Sequence, residues 1–189
     1  MKNYILFVVF TFGLLAVNAQ DFQKTTKYIA KTEIATKQQE YEKTRIHILA
    51  VEDDSKHVAT LAISDAAVFD ELRVSVLIKP ALQHVLEIIK VEFEYNGYSL
   101  AIDTYYFLVT DQGDYVSLPK ITKIYDDISE PIVDYVFPTQ KHGREETILK
   151  AIFHYRKNYT VEDIEVLQSF AWNDDDFGAE DAVVGIENH

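Results

Sequence analysis

Apolar and polar residues alternate along the stretch KVEFEYNGYSLAID, on both sides of an Asn96-Gly97 dipeptide. Alternation with a period of two is typical of a β-strand that buries one face, and Asn-Gly favours a two-residue hairpin turn. The turn fixes which residues of the two strands lie opposite each other. It predicts the apolar pairs Tyr95–Tyr98, Phe93–Leu100 and Val91–Ile102, and the polar-side pairs Glu94–Ser99, Glu92–Ala101 and Lys90–Asp103. The sequence therefore predicts a hairpin with one apolar face and one polar face.

A second turn is predicted at residues 111–114, where Asp-Gln-Gly-Asp separates a strand ending near Val109 from one starting at Tyr115. Residues 85–121 then form a three-stranded meander. Proline lacks the N–H that the interior of a sheet requires, so Pro119 indicates that the third strand is short or lies at an edge.

Strand-like runs also occur before and after this meander. Residues 44–51 and 57–64 flank a polar turn and form another predicted hairpin. Residues 72–78 are a β-rich run that stops at Pro80, and residues 132–137 lie between two prolines. The number of predicted strands is about seven.

Two stretches near the C-terminus carry mixed signals. Residues 146–157 fit a strand by alternation and a helix by apolar residues at i, i+4 and i+7. The strand is favoured because His142-Gly143 can close a hairpin with residues 132–139. Residues 161–171 follow a loose capping-box pattern from Thr160, with apolar residues at every third position. This second stretch is predicted to be a helix.

These elements predict a mainly β fold, an antiparallel two-layer sandwich with a minor C-terminal helix. The alternative is an α+β fold, which requires both residues 146–157 and residues 80–89 to be helical. The chain has no cysteine, and 48% of its residues are hydrophobic. Its stability must therefore come from a hydrophobic core and not from disulfide bonds.

Residues 1–19 have the pattern of a cleaved signal peptide. Lys2 gives a positive start, residues 5–16 are apolar, and Val17-Asn18-Ala19 offers a cleavage site before Gln20. The apolar run is shorter than the ~20 residues of a membrane span, so we expect no membrane span after cleavage. The expected localisation is secreted or periplasmic.

The rest of the chain is predicted to divide into a polar N-terminal lead (20–41), a single β-rich domain (42–172) and an acidic C-terminal tail (173–189). No repeat and no proline-rich or glycine-rich linker marks a second domain. The tail lacks ligands at two positions of a calcium-binding loop when Gly178 is aligned to the invariant glycine, so it is interpreted as a solvated terminus.

The net charge of −13 restricts the expected partners. Nucleic acids and anionic membranes bind clustered Lys and Arg side chains, so neither is expected. No metal or cofactor is expected, because the six histidines show no i, i+3 or i+4 spacing and no glycine-rich phosphate loop occurs. No catalytic residue can be assigned, since the motifs of serine and cysteine nucleophiles are absent. Paired carboxylates of the glycosidase type leave no sequence spacing, so a hydrolase remains an alternative.

One aromatic group suggests ligand binding. In the stretch SLAIDTYYFLV one face of the predicted strand carries Ser99, Ala101 and Asp103 near the turn. The same face continues with Tyr105 and Phe107. Aromatic side chains exposed on a sheet can stack on sugar rings or anchor a protein partner, which makes Tyr105 and Phe107 the candidate ligand-binding residues. The competing interpretation is that the strand passes beneath another layer and is buried on both faces.

The function favoured by the sequence is that of an exported, non-catalytic binding or interaction protein, whose partner is an unknown protein or glycan. A polysaccharide-acting hydrolase that uses paired carboxylates is the first alternative. A structural component of the cell envelope is the second, and it would be marked by a large apolar surface patch.

Overall fold

The computed structural model describes residues 20–33, 44–52, 57–63, 69–96, 100–125, 131–156 and 160–172. Every regular element in these ranges is a β-strand. The strands are β1 (Gln23–Lys24), β2 (Tyr28–Glu33), β3 (Thr44–Ala50), β4 (His57–Ile63), β5 (Glu71–Ile78), β6 (Val85–Asn96), β7 (Leu100–Thr110), β8 (Tyr115–Ser117), β9 (Ile121–Tyr125), β10 (Ile132–Val136), β11 (Thr147–Tyr155) and β12 (Val161–Ala171).

The strands form three antiparallel sheets. The central sheet has the order β1-β5-β6-β7-β8, and β9 also pairs with β7. The N-terminal sheet is β2-β3-β4, and the C-terminal sheet is β10-β11-β12. Strands β8 and β9 pair with successive parts of β7, on either side of Pro119. The prediction that this proline keeps the third strand of the meander short is therefore confirmed, since β8 has three residues.

Both faces of the central sheet are covered. On the first face, Ile89 and Phe93 pack in one hydrophobic cluster with Ile46 and Ile48 of the N-terminal sheet. On the second face, Ile88, Tyr106 and Leu108 pack in another cluster with Tyr135, Phe137 and Ile148 of the C-terminal sheet. Strands β6 and β7 therefore bury apolar side chains on both faces of the central sheet. Many antiparallel strands instead leave one face exposed to solvent.

The predicted fold class is confirmed, because the described chain is mainly β and its antiparallel sheets pack against one another. The sheets form three layers and not the predicted two, since each face of the central sheet carries one small sheet. The hairpin of β3 and β4, the turn before Tyr115 and the strand over residues 146–157 are confirmed as well. The α+β alternative fails because residues 147–155 and 85–89 are extended.

The predicted register of the β6–β7 hairpin is wrong. Val91 pairs with Tyr105 and not with Ile102, which instead lies opposite Glu94. The observed register places Ile89 opposite Phe107, whereas the predicted one would place Ile89 opposite the buried polar residue Thr104. Burial along the whole hairpin therefore outweighs the local preference of Asn-Gly for a two-residue turn. The connection from 97 to 99 lies outside the described residues.

The predicted helix over residues 161–171 is also wrong, because these residues form β12 and pair with β11. The pairing shifts register at two places, which leaves Glu162 and Leu167 as extra residues on β12. Each β-bulge adds one residue to the strand, so apolar side chains three positions apart can share a face as they would on a helix. The spacing of Val161 and Ile164 arises in this way.

The polar N-terminal lead contributes strands β1 and β2, although its sequence marks neither. Gln23 pairs with Val76 of β5, and Tyr28 is buried in the cluster beneath the N-terminal sheet. The predicted signal peptide at 1–19 and the acidic tail at 173–189 lie outside the described residues.

The end of β12 is fastened to the connection between β5 and β6. The ring N–H of Trp172 donates a hydrogen bond of 2.6 Å to the carbonyl oxygen of Gln83. The same connection holds Lys79, Ala81 and His84 at positive φ, a region that L-residues rarely adopt. Contacts from a distant part of the chain thus hold a connection that is locally unfavourable.

Two glycines provide a matched test of the loops. A Cβ atom on Gly143 would lie 2.2 Å from the backbone oxygen of Phe137, whereas one on Gly113 would meet nothing within 4 Å. Gly113 has φ +88°, so its replacement is strained by conformation alone. We expect Gly143→Ala to lower the free energy of unfolding by about 3 kcal/mol and Gly113→Ala by about 1 kcal/mol. Chemical denaturation measures both, and equal losses would contradict the tight turn at residue 143.

Candidate functional site

The two aromatic residues singled out from the sequence lie on the first face of the central sheet. Phe107 is 4% exposed and belongs to the cluster beneath the N-terminal sheet. Tyr105 is half-buried, and its ring meets that of Phe93 edge to face at 5.8 Å. Burial, followed by the charge of Asp103, raises the pKa of Tyr105 to about 12. Both side chains therefore pack against the core. Their role in ligand binding stays a prediction, and their burial does not favour it.

The second face of the central sheet changes character along its length. Its apolar half is covered by the C-terminal sheet. Towards the β6–β7 connection the same face carries charged side chains at alternate positions on neighbouring strands. Together with one carboxylate from β10 they form a charged cluster of three cations and four anions: Arg73, Lys90, Lys123, Glu71, Glu92, Glu94 and Asp134.

Ion pairs connect the cluster along β5 and β6. Lys90 Nζ lies 2.7 Å from Glu92 Oε1, and Arg73 Nη2 lies 3.0 Å from Glu94 Oε2. The side chains of Lys90 and Glu92 are only 16% and 15% exposed. Charges so far removed from water need partners, because an isolated buried charge costs several kcal/mol. The pairing therefore fixes the orientation of these side chains.

A second set of contacts joins the cluster to the C-terminal sheet. Lys123 on β9 forms an ion pair with Asp134 on β10, and the side chain of Lys123 is 7% exposed. The hydroxyl of Tyr106 donates a hydrogen bond of 2.5 Å to Asp134 Oδ1, and the amide of Tyr135 donates one of 2.8 Å to the same oxygen. Burial first, and then the charge of Asp134, raises the pKa of Tyr106. Asp134 thus ties β10 to the central sheet.

Two exposed tyrosines border the charged cluster, and we refer to Tyr125 and Tyr155 as the aromatic rim. Their exposed fractions are 38% and 44%. Burial raises the pKa of Tyr125, with Asp134 and Glu92 next in effect. Burial also raises the pKa of Tyr155, followed by Tyr125 and Asp134. These mutual influences place both phenol groups within electrostatic range of the cluster.

The rim has a third aromatic neighbour. The ring of Phe153 stacks on that of Tyr155, with centroids 6.4 Å apart and planes inclined by 26°. Stacking restricts the orientation of Tyr155 before any ligand arrives. A preordered aromatic surface loses less conformational entropy on binding than a mobile one.

Thr104 adds an unusual polar group to the same face. It lies directly opposite Glu92 on β6, it is 0% exposed, and its hydroxyl oxygen has no hydrogen-bond partner. A buried hydroxyl without a partner costs roughly 1–3 kcal/mol. The charged half of this face therefore carries a stability cost that a purely apolar core would not have.

A separate buried carboxylate joins β2 to β6. Glu87 is 7% exposed, and it accepts hydrogen bonds from the Tyr28 hydroxyl at 2.6 Å and from Lys27 Nζ at 3.0 Å. Burial and this hydrogen bond raise the pKa of Tyr28. Both oxygens of Glu87 are occupied by neighbours in the chain, so its role is to hold the N-terminal sheet in place.

Two features are absent from the residues that the structure describes. No helix there is long and apolar enough to cross a membrane. No group of three or more His, Cys, Asp and Glu side chains in the same ranges is arranged to hold a metal ion.

Sequence reasoning missed the charged cluster. Alternating charges on β5 and β6 indicate a solvated face, and nothing in the sequence connects them with Asp134, some forty residues further along the chain. One sequence signal could have suggested a site. Arg73 and Lys90 alternate with acidic residues on β5 and β6, so both positive and negative side chains occur on strands that are otherwise strongly apolar.

Comparison with known proteins adds no assignment. No protein-family model matches the chain, and neither a curated protein nor a solved structure shows a significant match.

The burial of Phe107 leads to a stability prediction. Phe107→Ala should lower the free energy of unfolding by about 3–5 kcal/mol, the usual cost of emptying a buried phenylalanine site. Leu86→Ala is the matched control, because Leu86 is 53% exposed on the neighbouring strand and should change little. Urea denaturation followed by circular dichroism measures both. Unchanged stability of Phe107→Ala would contradict its place in the core.

The tyrosines predict a loss of stability in alkali. The pKa values of Tyr105 and Tyr135 are raised from 10.0 to about 12, mainly by burial. The folded state therefore holds these protons more tightly than the unfolded chain. Their contribution is complete below pH 10 and is lost as the pH rises through about 12.

This loss is measurable as the free energy of unfolding between about pH 9 and 12, with tyrosinate absorbance recorded in parallel. Tyr135→Phe removes one of the titrating groups and should flatten the pH dependence. A wild-type profile that stays level across this window would contradict the assigned burial.

Proposed function

We propose that the protein is an exported, non-catalytic binding protein that recognises a neutral glycan at the charged cluster and the aromatic rim. The observation that carries this proposal is the position of Tyr125 and Tyr155, exposed beside ion pairs that are themselves largely withdrawn from water. Export rests on the signal-peptide pattern of residues 1–19.

Sugar rings need two kinds of contact at once. Their C–H faces pack on aromatic rings, and their hydroxyl groups act both as hydrogen-bond donors and as acceptors. The rim supplies the rings. The cluster supplies Arg and Lys donors next to carboxylate acceptors, and hydrogen bonds that involve an ionised partner are the stronger ones.

The balance of charge favours a neutral ligand. The cluster holds three cations and four anions, so its charges nearly cancel and it attracts neither sign of ligand strongly. The net charge of −13 on the whole chain repels anionic polymers at longer range. A neutral polysaccharide meets neither obstacle.

Binding without hydrolysis is supported by the pairing of the carboxylates. A glycosidase needs one carboxyl group that carries a proton and donates it to the leaving oxygen. Glu71, Glu92, Glu94 and Asp134 each lie within ion-pair distance of a cation. None of the four carboxylates of the cluster is therefore presented to a ligand without an ion-pair partner of its own.

The proposal predicts that the rim tyrosines carry affinity. Tyr125→Ala and Tyr155→Ala should each weaken glycan binding about tenfold, because each removes an aromatic contact of about 1 kcal/mol and apolar area with it. Leu167→Ala is the control, since Leu167 is 46% exposed on β12 and belongs to neither group. A panel of neutral polysaccharides, including β-glucan, mannan and starch, is screened first, and titration calorimetry then compares the variants.

Two outcomes would contradict the proposal. One is the absence of saturable binding to every neutral polysaccharide while the wild-type protein is folded. The other is binding that both tyrosine variants retain in full. Release of reducing sugar from a bound polysaccharide would restore the hydrolase alternative.

A further inference from the structure

The outer face of the N-terminal sheet carries a second polar group, away from the charged cluster. Glu33 on β2, His47 on β3, and His57 and Thr60 on β4 meet there through their side chains. His47 alternates with Ile46 and Ile48, which are 0% exposed and face the core. The histidine side chain therefore points to the solvent side of the sheet.

A β-bulge brings the two β4 side chains together. His57 and Thr60 are three residues apart, so in a regular strand they would point to opposite faces. The pairing with β3 shifts by one residue after Ile48, which leaves Val58 as an extra residue on β4. The bulge turns both His57 and Thr60 towards His47, while Val58 stays buried.

Three donor atoms converge as a result. His47 Nδ1 lies 3.2 Å from His57 Nε2 and 3.1 Å from Thr60 Oγ1, and the Thr60 oxygen lies 2.8 Å from His57 Nε2. Ligands at 2.0–2.1 Å from a tetrahedral metal are separated by about 3.3 Å from one another. The observed triangle is slightly smaller, and small side-chain rotations at this exposed surface would open it to that size.

Glu33 orients the ring of His47. Glu33 Oε2 lies 3.0 Å from His47 Nε2, on the side of the ring opposite the triangle. If Nε2 carries the proton and donates it to Glu33, Nδ1 keeps a lone pair directed at His57 and Thr60. A carboxylate that accepts the outer N–H of a histidine is the usual support of a metal-binding imidazole.

We propose that His47, His57 and Thr60 bind one divalent transition-metal ion, with Glu33 positioning His47. Imidazole nitrogen suits copper, nickel and zinc, whereas magnesium and calcium require mostly oxygen ligands. The donor set consists of two imidazoles and one hydroxyl. It therefore differs from a group of three or more His, Cys, Asp and Glu side chains, which the described residues do not form. Remaining coordination positions face the solvent and take water or an external ligand.

The neighbouring charged side chains determine the expected affinity for the metal ion. Lys31 lies directly opposite His47 on β2, and Arg45 lies opposite Glu33. These cations oppose the positive charge of a metal ion, while the carboxylate of Glu33 favours it. Two nitrogen ligands and one neutral oxygen therefore predict moderate affinity, with copper bound more tightly than nickel or zinc.

The test uses the folded full-length protein and the metal salts themselves. Titration calorimetry with copper, nickel and zinc chloride should give one ion per chain, with copper the tightest, and magnesium chloride should give no heat of binding. The electron paramagnetic resonance spectrum of the copper complex should show two nitrogen ligands. His47→Ala and His57→Ala should each weaken binding at least a hundredfold, and Glu33→Gln about tenfold.

Controls separate this site from other histidines and from unfolding. His84→Ala and His154→Ala should bind as the wild type does, because both histidines lie outside the group of His47, His57 and Thr60 and contact other residues, Asp111 and Glu165. Circular dichroism checks the fold of each variant, and His47→Gln replaces His47→Ala if the latter is unstable.

The proposal is overturned if the folded wild type shows no binding at millimolar copper, nickel or zinc. It is equally overturned if the His47 and His57 variants keep full affinity, which would place the ion elsewhere on the chain. Neither result bears on glycan binding, since the charged cluster lies on the other side of the molecule's core from this sheet face.

Discussion

Burial of both faces of the β6–β7 hairpin is the constraint on which the other packing depends. Ile89 and Phe107 are cross-strand partners that face the N-terminal sheet, while Ile88 and Leu108 are partners that face the C-terminal sheet. A shift of one residue would exchange the two faces and misplace both sets of contacts at once. The two small sheets therefore dock on a hairpin whose register is fixed from both sides, and each sheet in turn stabilises that register.

The charged cluster on the second face of the central sheet begins where the hydrophobic contacts with the C-terminal sheet end. Charged side chains close to the core must be paired, and Lys123, Asp134 and Tyr106 satisfy one another across the junction between β9 and β10. Removing one member would leave the others buried without a partner, which costs more than the pair itself contributes. The same contacts that hold β10 in place thus also fix the shape of the surface next to Tyr125 and Tyr155.

Much of the local structure was predictable from the sequence, because turns and alternation act over a few residues. The turn before Tyr115 and the break at Pro119 follow from residue chemistry alone. The β6–β7 register, the strand at 161–171 and the positions of the side chains at both sites were not predictable in this way. Each depends on bulges or on burial by distant strands: Val58 moves His57 to the outer face, and Asp134 reaches the central sheet from another strand.

The attachment of Trp172 to Gln83 has a practical consequence. The chain contains one tryptophan, and its indole is 8% exposed where the end of β12 meets the connection between β5 and β6. Its intrinsic fluorescence therefore reports the docking of the C-terminal sheet on the central sheet, with no background from other indoles. A red-shifted emission without loss of the β-sheet signal would reveal this sheet detaching before the rest of the molecule unfolds.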